Sequence, residues 1–474
     1  MKKMAVFTSV ILTLALLLGA CATDNSGSTD SSGSPENAGS SDNAGSTDSS
    51  DSSDSSADTG TSNLADTVSD PVELRFSWWG SENRHEAFLE VIDLYTSQNP
   101  GVTIKAEYGA WDGWQQNILT QLGGKTEADI MQVNYNWVHS FGKGSNVFAN
   151  LRDLSDYIDL SNWEDEYLSA MTVGGELGAI PHGMNGRAHL YVKPMFEDAG
   201  IEYPLTYDDL MAAGAIIGAD NTPTGSENKY VFMNIGRECP DLFIAQMLYN
   251  ETGKVMQVDG VVQYTEEEVA KVFEQYLAFA DSGAMETFNQ LDALDNESNP
   301  VWASGRGGSI YEWVGTMDKY LGSYKGGGYE DEIGVAPFIV PSASTTPNIY
   351  VKPNLGYAIS NNSKNKEVAA DFLNFFFTDE EAVKILGTSI GISSNDVTRD
   401  IQERAGMLEG IMKTGYDMLD NYQQTVMDPY FEDSNVRGAR YLAIEAFRSG
   451  KDSPEKAAAD YISLQQAELD KLFN

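Results

Sequence analysis

The sequence predicts an α/β fold arranged as two lobes, and three observations lead to this prediction. From residue 72, short runs rich in Val, Ile and Phe alternate with amphipathic helical segments, a pattern typical of parallel sheets covered by helices. The part of the chain from residue 71 onward, here called the body, has roughly 400 residues, more than one hydrophobic core usually contains. Cys239 is the only cysteine of the body, so no disulfide within it can replace a large core.

The first elements of the body follow one another in the order strand, helix, strand, helix, strand. The strands are predicted at residues 72–76, 102–106 and 129–133. Between them, apolar residues recur with helical spacing from Phe88 to Tyr95, and a second helix is predicted from Trp111 to Leu122. This alternation favours parallel strands with helices on both faces of a sheet.

The remainder of the body continues the mixed pattern. Extended segments are predicted at residues 178–192, 332–339 and 349–359. Helices are predicted at residues 194–200, 206–217, 265–282 and 301–320. After residue 360 the chain is predicted to be mostly helical, since apolar residues such as Ala369, Phe372 and Phe376 share one helical face.

The N-terminal segment has the features of an export signal. Lys2 and Lys3 precede a short apolar run, which ends in Leu18-Gly19-Ala20-Cys21 and resembles the lipobox of bacterial lipoproteins. We expect cleavage after residue 20 and lipidation of Cys21; the alternative is an ordinary secretory signal with a chance cysteine. Residues 22–70 are rich in Ser, Gly and Asp and contain no Lys or Arg, a composition typical of a disordered, extended tether.

Charge and motifs exclude several classes of function. The formal net charge of −41 makes nucleic acid and anionic membrane surfaces poor partners. The glycines of Gly305-Arg306-Gly307-Gly308 are not followed by Lys and Ser or Thr, so this segment is interpreted as a turn and not a phosphate loop. The acidic segment 292–297 does not have EF-hand spacing. We therefore expect no cofactor and no bound metal.

Several segments, in this order, resemble the family 1 extracellular solute-binding proteins, which are the receptors of sugar ABC importers. They are Phe76-Ser77-Trp78-Trp79-Gly80 with Arg84-His85, then Asn99-Pro100-Gly101-Val102, Trp111-Asp112-Gly113-Trp114 leading into Gln121–Gln132, and Lys366–Phe375 with Asp379–Ala382. The resemblance covers nearly all of the body. The Trp78-Trp79-Gly80 opening and the Trp111 and Trp114 pair are most similar to receptors for oligogalacturonides and other plant oligosaccharides.

The resemblance implies a class II, maltose-binding-protein-like fold, with two α/β lobes joined by a hinge that the chain crosses three times. By this analogy residues 71–186 and 353–400 form one lobe, and residues 187–352 and 401–474 form the other. The ligand is expected in the cleft between them, and closure about the hinge is expected to produce the form that the permease recognises.

A sugar site needs flat aromatic rings and planar polar groups, because sugars present apolar C–H faces and many hydroxyls. Residues of both kinds fall at predicted strand ends and hinge crossings. The candidate ligand-binding residues are Trp78, Trp79, Trp111, Trp114, Tyr135, Trp137, Asn185, Arg187, Arg306, Trp313 and Lys352. Alternation along the first strand predicts that one of Trp78 and Trp79 faces the cleft while the other packs inside. Helical spacing predicts that Trp111 and Trp114 share a face.

The predicted function is therefore a monomeric receptor that captures an oligosaccharide and delivers it to the permease subunits of an ABC transporter. The lipid on Cys21 would hold it at the outer face of the membrane of a bacterium without an outer membrane. Uronate-containing oligomers stay among the candidate ligands, with Arg84, Arg187, Arg306 and Lys352 as possible clamps for carboxylates. The alternatives are a secreted glycoside hydrolase or polysaccharide lyase, whose paired carboxylates the many Asp and Glu could supply, and a structural adhesin.

Overall fold

The computed structural model describes residues 70–473 apart from 112, 143, 145, 223–224, 234, 287–296 and 325–331. Cys21 and the predicted tether lie outside the described residues. Within the described ranges, no helix combines the length and the apolar character that a membrane span requires. The same ranges contain no group of three or more His, Cys, Asp or Glu side chains placed to hold a metal ion.

The described strands and helices alternate through the first part of the chain, and helices dominate the last part. The strands are β1 (Val72–Trp79), β2 (Val102–Gly109), β3 (Ile130–Val133), β4 (Thr172–Val173), β5 (Glu176–Leu177), β6 (Ile180–Pro181), β7 (Met184–Val192), β8 (Gln257–Val258), β9 (Val261–Val262), β10 (Ser309–Trp313), β11 (Ile333–Ala336), β12 (Asn348–Pro353), β13 (Gly356–Ile359) and β14 (Gln423–Val426). The helices are α1 (Glu82–Gln98), α2 (Trp114–Gly124), α3 (Tyr135–Gly142), α4 (Asp165–Ala170), α5 (Lys193–Ala199), α6 (Tyr207–Ile217), α7 (Glu238–Thr252), α8 (Glu266–Asp281), α9 (Pro300–Ala303), α10 (Met317–Ser323), α11 (Lys366–Thr378), α12 (Glu380–Leu386), α13 (Asp396–Arg404), α14 (Gly410–Asp420), α15 (Ser434–Arg448) and α16 (Pro454–Phe473).

Lobe 1 is built on a sheet with the strand order β2-β1-β3-β13-β6. Strands β1, β2 and β3 are parallel, and β13 runs antiparallel to β3. Leu74, Phe76 and Trp78 alternate along β1 and are fully buried. Phe76 packs against Phe88 of α1 and Phe372 of α11, so this face of β1 forms the core of the lobe. Each such side chain contributes about 1.5–3 kcal/mol through burial.

Lobe 2 is built on a second sheet with the order β10-β7-β12-β14, to which β11 adds by pairing with β7. Its core is a separate apolar cluster from that of lobe 1. Helices α7, α8, α15 and α16 pack on one another beside it, and Phe273 of α8 stacks on Phe447 of α15 with ring centroids 4.5 Å apart. The two sheets and two cores give the two-lobe α/β architecture that the sequence predicts.

The chain crosses between the lobes at three places. The first crossing joins β6 to β7, and the second joins β12 to β13. The third lies between α13 and α14, because α13 packs on helices of lobe 1 whereas α14 packs on lobe 2. The backbone carbonyl of His182 accepts hydrogen bonds from Ser393 and Ser394, and Asn354 accepts from the amide of Gly183. A Cβ added to Gly183 would collide with the carbonyl oxygen of Ile392, so the first hinge segment is in direct backbone contact with the segment that precedes α13.

Most sequence-based element predictions are confirmed, including β1, β2, β3 and α1, but two are wrong. The predicted helix at 301–320 is divided into α9, strand β10 and α10, because the glycines between residues 305 and 308 interrupt the helix and the following Ile-Tyr-Glu-Trp segment pairs with β7. The predicted helix from Trp111 begins at Trp114 instead. Its N-cap, Gly113, has a left-handed φ of 78°, which breaks the helical path.

Candidate functional site

Three tryptophans gather at one edge of the lobe 1 sheet. Trp79 ends β1, Trp111 follows β2, and Trp137 follows β3, and parallel strands bring their carboxyl ends to the same edge. The ring centroids of Trp111 and Trp137 lie 5.7 Å apart at 6°, and Trp79 lies 5.2 Å from Trp111 and 5.3 Å from Trp137. Trp111 is 48 % exposed, whereas the other two are buried. This tryptophan cluster offers a flat apolar surface backed by fixed rings.

Trp78 and Trp114, which belong to the same predicted set, lie elsewhere. Trp78 is fully buried on the core face of β1, where its Nε1 donates to His85 Nδ1 over 3.0 Å. Alternation along the strand thus separates it from Trp79, as expected. Trp114 is buried over Gly109, whereas Trp111 is exposed and lies outside helix α2, so the prediction that Trp111 and Trp114 share a helical face is wrong. The reason is that Trp111 precedes the helix.

On lobe 2, Arg187 and Trp313 face each other across neighbouring strands. They are register partners on β7 and β10, and the guanidinium carbon of Arg187 lies 5.1 Å from the Trp313 ring centroid. Arg187 Nη1 donates to the carbonyl of Tyr311 over 2.6 Å, and its Nη2 lies 3.2 Å from Glu312 and 3.6 Å from Glu238. The arginine is therefore held from several sides by groups of its own lobe.

Glu238 joins the arginine to the indole of Trp313. Trp313 Nε1 donates to Glu238 Oε1 over 2.8 Å. Burial alone would raise the pKa of the Glu238 carboxyl, but Arg187 and then Lys352 outweigh it, and the pKa is lowered from its ordinary value. Glu238 therefore stays charged at neutral pH.

Lys352 completes the lobe 2 cluster from strand β12. Its Nζ lies 4.5 Å from the Trp313 ring centroid and is paired with both carboxylate oxygens of Glu432. Asn185, which faces Lys352 in the β7–β12 register, accepts a hydrogen bond from the amide of Gly315. We call this group the lobe 2 polar cluster. Its members are Asn185, Arg187, Glu238, Glu312, Trp313, Lys352 and Glu432.

Helix α3 connects the two clusters across the lobes. The hydroxyl of Tyr135 donates to the carbonyl of Met427 over 2.9 Å, and Asn136 donates to the carbonyl of Glu432 over 3.3 Å. Trp137 of the tryptophan cluster is the next residue of the same helix. The ring surface of lobe 1 and the charged groups of lobe 2 are therefore neighbours at the interface between the lobes.

Arg306 lies outside the lobe 2 polar cluster. It precedes β10, whereas Trp313 ends that strand, and its guanidinium donates to the hydroxyl of Ser304 and the carbonyl of Asn228. The full length of β10, five residues or about 15 Å, therefore lies between Arg306 and Trp313.

Four residues of the interface were not predicted from the sequence. They are Asn136, Glu238, Glu312 and Glu432. Asn136 and Glu312 are adjacent in sequence to predicted residues, and this adjacency is the only indication of their role that the sequence provides. Glu238 and Glu432 are distant in sequence from every predicted residue, and no motif distinguishes them among the many acidic side chains.

A separate cavity of about 220 Å³ lies on the other face of the hinge strands. Its lining comes from both lobes and includes Met184, Val351, Ser393, Arg399 and Tyr416. Successive side chains of a strand point to opposite faces, so Val351 and Lys352 of β12 diverge. The cavity therefore lies on the face of β12 opposite to Lys352, while Tyr416 of its lining and Asn185 of the polar cluster both approach Gly315.

Comparison with known proteins agrees with this architecture. A crystal structure of a periplasmic solute-binding protein from Pectobacterium atrosepticum is similar with a TM-score of 0.76 and 26 % identity, covering 85 % of this chain and 100 % of that one. An oligogalacturonide-binding protein from Yersinia enterocolitica, in complex with saturated digalacturonic acid, shares the fold with a TM-score of 0.73 and 24 % identity, covering 85 % and 100 %.

Sequence comparison leads to the same group. The diacetylchitobiose-binding protein of Streptomyces coelicolor is 23 % identical over 287 residues, which is 58 % of this chain and 63 % of that protein. The family model described as bacterial extracellular solute-binding protein matches residues 79–383. That match spans more than half of the chain and contains most of both clusters, and the chain therefore belongs to the bacterial extracellular solute-binding protein family.

Proposed function

We propose that this protein captures an oligosaccharide between its two lobes and delivers it to the permease of an ABC importer. Two of the relatives named above bind digalacturonic acid and diacetylchitobiose, which are short sugar oligomers. In this proposal lobe 1 comprises residues 71–186 and 353–400, lobe 2 comprises residues 187–352 and 401–474, and closure occurs about the hinge. Since α13 packs against α11 and α12, we move this last boundary to the end of α13, so that lobe 1 ends at Arg404 and lobe 2 resumes at residue 405.

The observation that carries the proposal is the tryptophan cluster beside the lobe 2 polar cluster. The exposed face of Trp111 can stack on the apolar face of a sugar ring, while Trp79 and Trp137 hold it in place. Charged and amide groups around Trp313 can exchange hydrogen bonds with sugar hydroxyls from the opposite lobe. A ligand that contacts both lobes stabilises the closed form by its difference in affinity for the two states.

Isothermal titration calorimetry against a panel of plant-derived and chitin-derived oligosaccharides tests this proposal. We expect one oligomer to bind with a stoichiometry of one and to be recovered unchanged by chromatography after prolonged incubation. Shortened products would instead support a glycoside hydrolase or lyase. Binding restricted to amino acids, peptides or metal ions would overturn the proposal.

The proposal includes a lipid anchor on Cys21, whose role is to confine the receptor near its permease. One lipidated cysteine with two or three acyl chains exceeds what stable anchoring needs. We expect Cys21→Ser to move the protein from the membrane fraction into the medium and to impair uptake by cells, with the ligand affinity of the purified protein unchanged. Retention in the membrane fraction would contradict the anchor, and a change in affinity would contradict a purely tethering role.

A further inference from the structure

We propose that the site accepts a neutral oligosaccharide and discriminates against uronates, because the protein's own carboxylates already occupy the cations that would bind a ligand carboxylate. This inference rests on the proposed function and specifies its substrate class. Similarity to an oligogalacturonide-binding protein would instead suggest an anionic ligand, since digalacturonic acid carries carboxylates.

Arg187 is the first cation that a uronate could use. Its guanidinium lies within 3.6 Å of two carboxylates, Glu238 and Glu312, and one of its nitrogens also donates to the carbonyl of Tyr311. The side chain is only 4 % exposed. A ligand carboxylate would have to displace a charged partner to reach this buried arginine, and would leave that partner without its counter-charge.

Lys352 is the second cation, and it is occupied in the same way. Its ammonium is paired with both oxygens of Glu432, and both side chains are largely buried. Glu432 is itself fixed, because its backbone carbonyl accepts a hydrogen bond from Asn136 of lobe 1. The pair is thus set in place at the junction of the lobes without any ligand carboxylate.

The remaining two cations of the sequence-based set do not supply a clamp. Arg306 is bound to Ser304 and Asn228 at the other end of β10. Arg84 donates to the backbone carbonyls of Trp79 and Ser389, which anchors it within lobe 1. Neither guanidinium lies in the lobe 2 polar cluster.

The charge of the lobe 2 polar cluster follows from these pairings. It holds the carboxylates of Glu238, Glu312 and Glu432 against the cations of Arg187 and Lys352. The next cation is Arg437, which lies 5.9 Å from the Tyr441 ring centroid and whose charge also helps to lower the pKa of Glu238. Glu238 has the most exposed side chain of the three, at 42 %. Carboxylates accept hydrogen bonds from sugar hydroxyls and repel a second carboxylate, so this surface favours an uncharged ligand.

The test uses ligand pairs in which one member carries carboxylates and the other does not. The full chain is titrated by calorimetry with oligogalacturonides and their methyl esters, and with xylo-oligosaccharides that carry or lack a glucuronate branch. We expect a neutral oligomer to bind at least about tenfold more tightly than its charged counterpart. We also expect its affinity to be nearly independent of salt, since no net charge pair forms on binding.

Two variants release the cations without changing side-chain shape. Glu432→Gln frees Lys352, Glu238→Gln partly frees Arg187, and in each case we expect the uronate member of the pair to gain about tenfold in affinity. The matched control is Glu251→Gln, which removes an acidic charge paired with Lys271 at the far end of α7, about 20 Å from Glu238 along the helix. It should leave the preference unchanged, and thermal unfolding of each variant verifies its fold.

The outcomes separate this inference from the proposed function. Tighter binding of the uronate member by the unmodified protein, or no gain for uronates in either glutamine variant, overturns the inference and leaves an oligosaccharide receptor. Failure of every oligosaccharide to bind overturns the proposed function, and the inference with it.

Discussion

Loss of the Asp241 carboxylate is expected to cost about 3–5 kcal/mol of unfolding free energy, because it leaves Arg440 as an uncompensated charge in the core of lobe 2. Arg440 Nε and Nη2 donate to the two oxygens of Asp241 over 2.8 and 2.9 Å, and both residues are completely buried. The guanidinium also lies 3.8 Å from the ring centroid of Phe431 and donates to its carbonyl. Arg440 thereby fixes the segment that precedes Glu432.

Denaturant unfolding of Asp241→Ala, followed by circular dichroism, measures this cost. The double variant Asp241→Leu with Arg440→Met should recover most of the loss, because no charge then stays buried without a partner. Asp417→Ala removes the exposed pair with Lys413 and is expected to change stability by less than about 1 kcal/mol. A similar small effect for Asp241→Ala would show that the buried pair is not structurally required.

The elements of lobe 1 were predictable because local sequence patterns determine them. Helix α1 places His85, Phe88, Val91, Ile92 and Tyr95 on one buried face, which is the periodicity visible in the sequence. Strand β1 buries Leu74, Phe76 and Trp78 with a period of two. The start of α2 depends on one backbone angle, the left-handed φ of Gly113, which the apolar pattern does not show. The pattern therefore predicts the start of α2 three residues too early and assigns Trp111 to a helix that it precedes.

Strand β10 shows a different limit. Its residues also fit a helical pattern, and only pairing with β7, more than a hundred residues earlier in the chain, makes them a strand. The same pairing sets Trp313 opposite Arg187. Non-local register of this kind cannot be read from a single sequence, because short apolar runs fit either period.

The carboxylates of the lobe 2 polar cluster are the part of the interface that the sequence could not specify. Glu432 reaches Lys352 only after β12 and the segment before α15 are brought together by the fold. In a chain with 71 acidic residues, position along the sequence does not indicate which of them face a cation. The sequence therefore suggested free cationic clamps where the structure has closed ion pairs.

Trp78 and Trp111 should respond in opposite ways to truncation. Trp111→Ala removes the exposed ring, and we expect ligand affinity to fall by about tenfold to a hundredfold, or ~1.4–2.7 kcal/mol. The variant loses the contacts of Trp111 with Trp137. Apart from that contribution, its free energy of unfolding should change by less than about 0.5 kcal/mol, since nearly half of Trp111 is exposed to solvent. Calorimetry with the oligosaccharide that binds the unmodified protein gives the first value, and denaturant unfolding gives the second.

Trp78→Ala should lose about 3–5 kcal/mol of stability, because it empties a fully buried site packed against Phe76 and Phe88. The affinity of the molecules that stay folded should be unchanged, since the Trp78 ring points away from the tryptophan cluster. The two tryptophans are thereby expected to have separate roles, Trp111 toward the ligand and Trp78 toward the core. Equal losses of affinity for Trp78→Ala and Trp111→Ala would contradict that division, and unchanged affinity in Trp111→Ala would exclude its ring as a sugar-stacking surface.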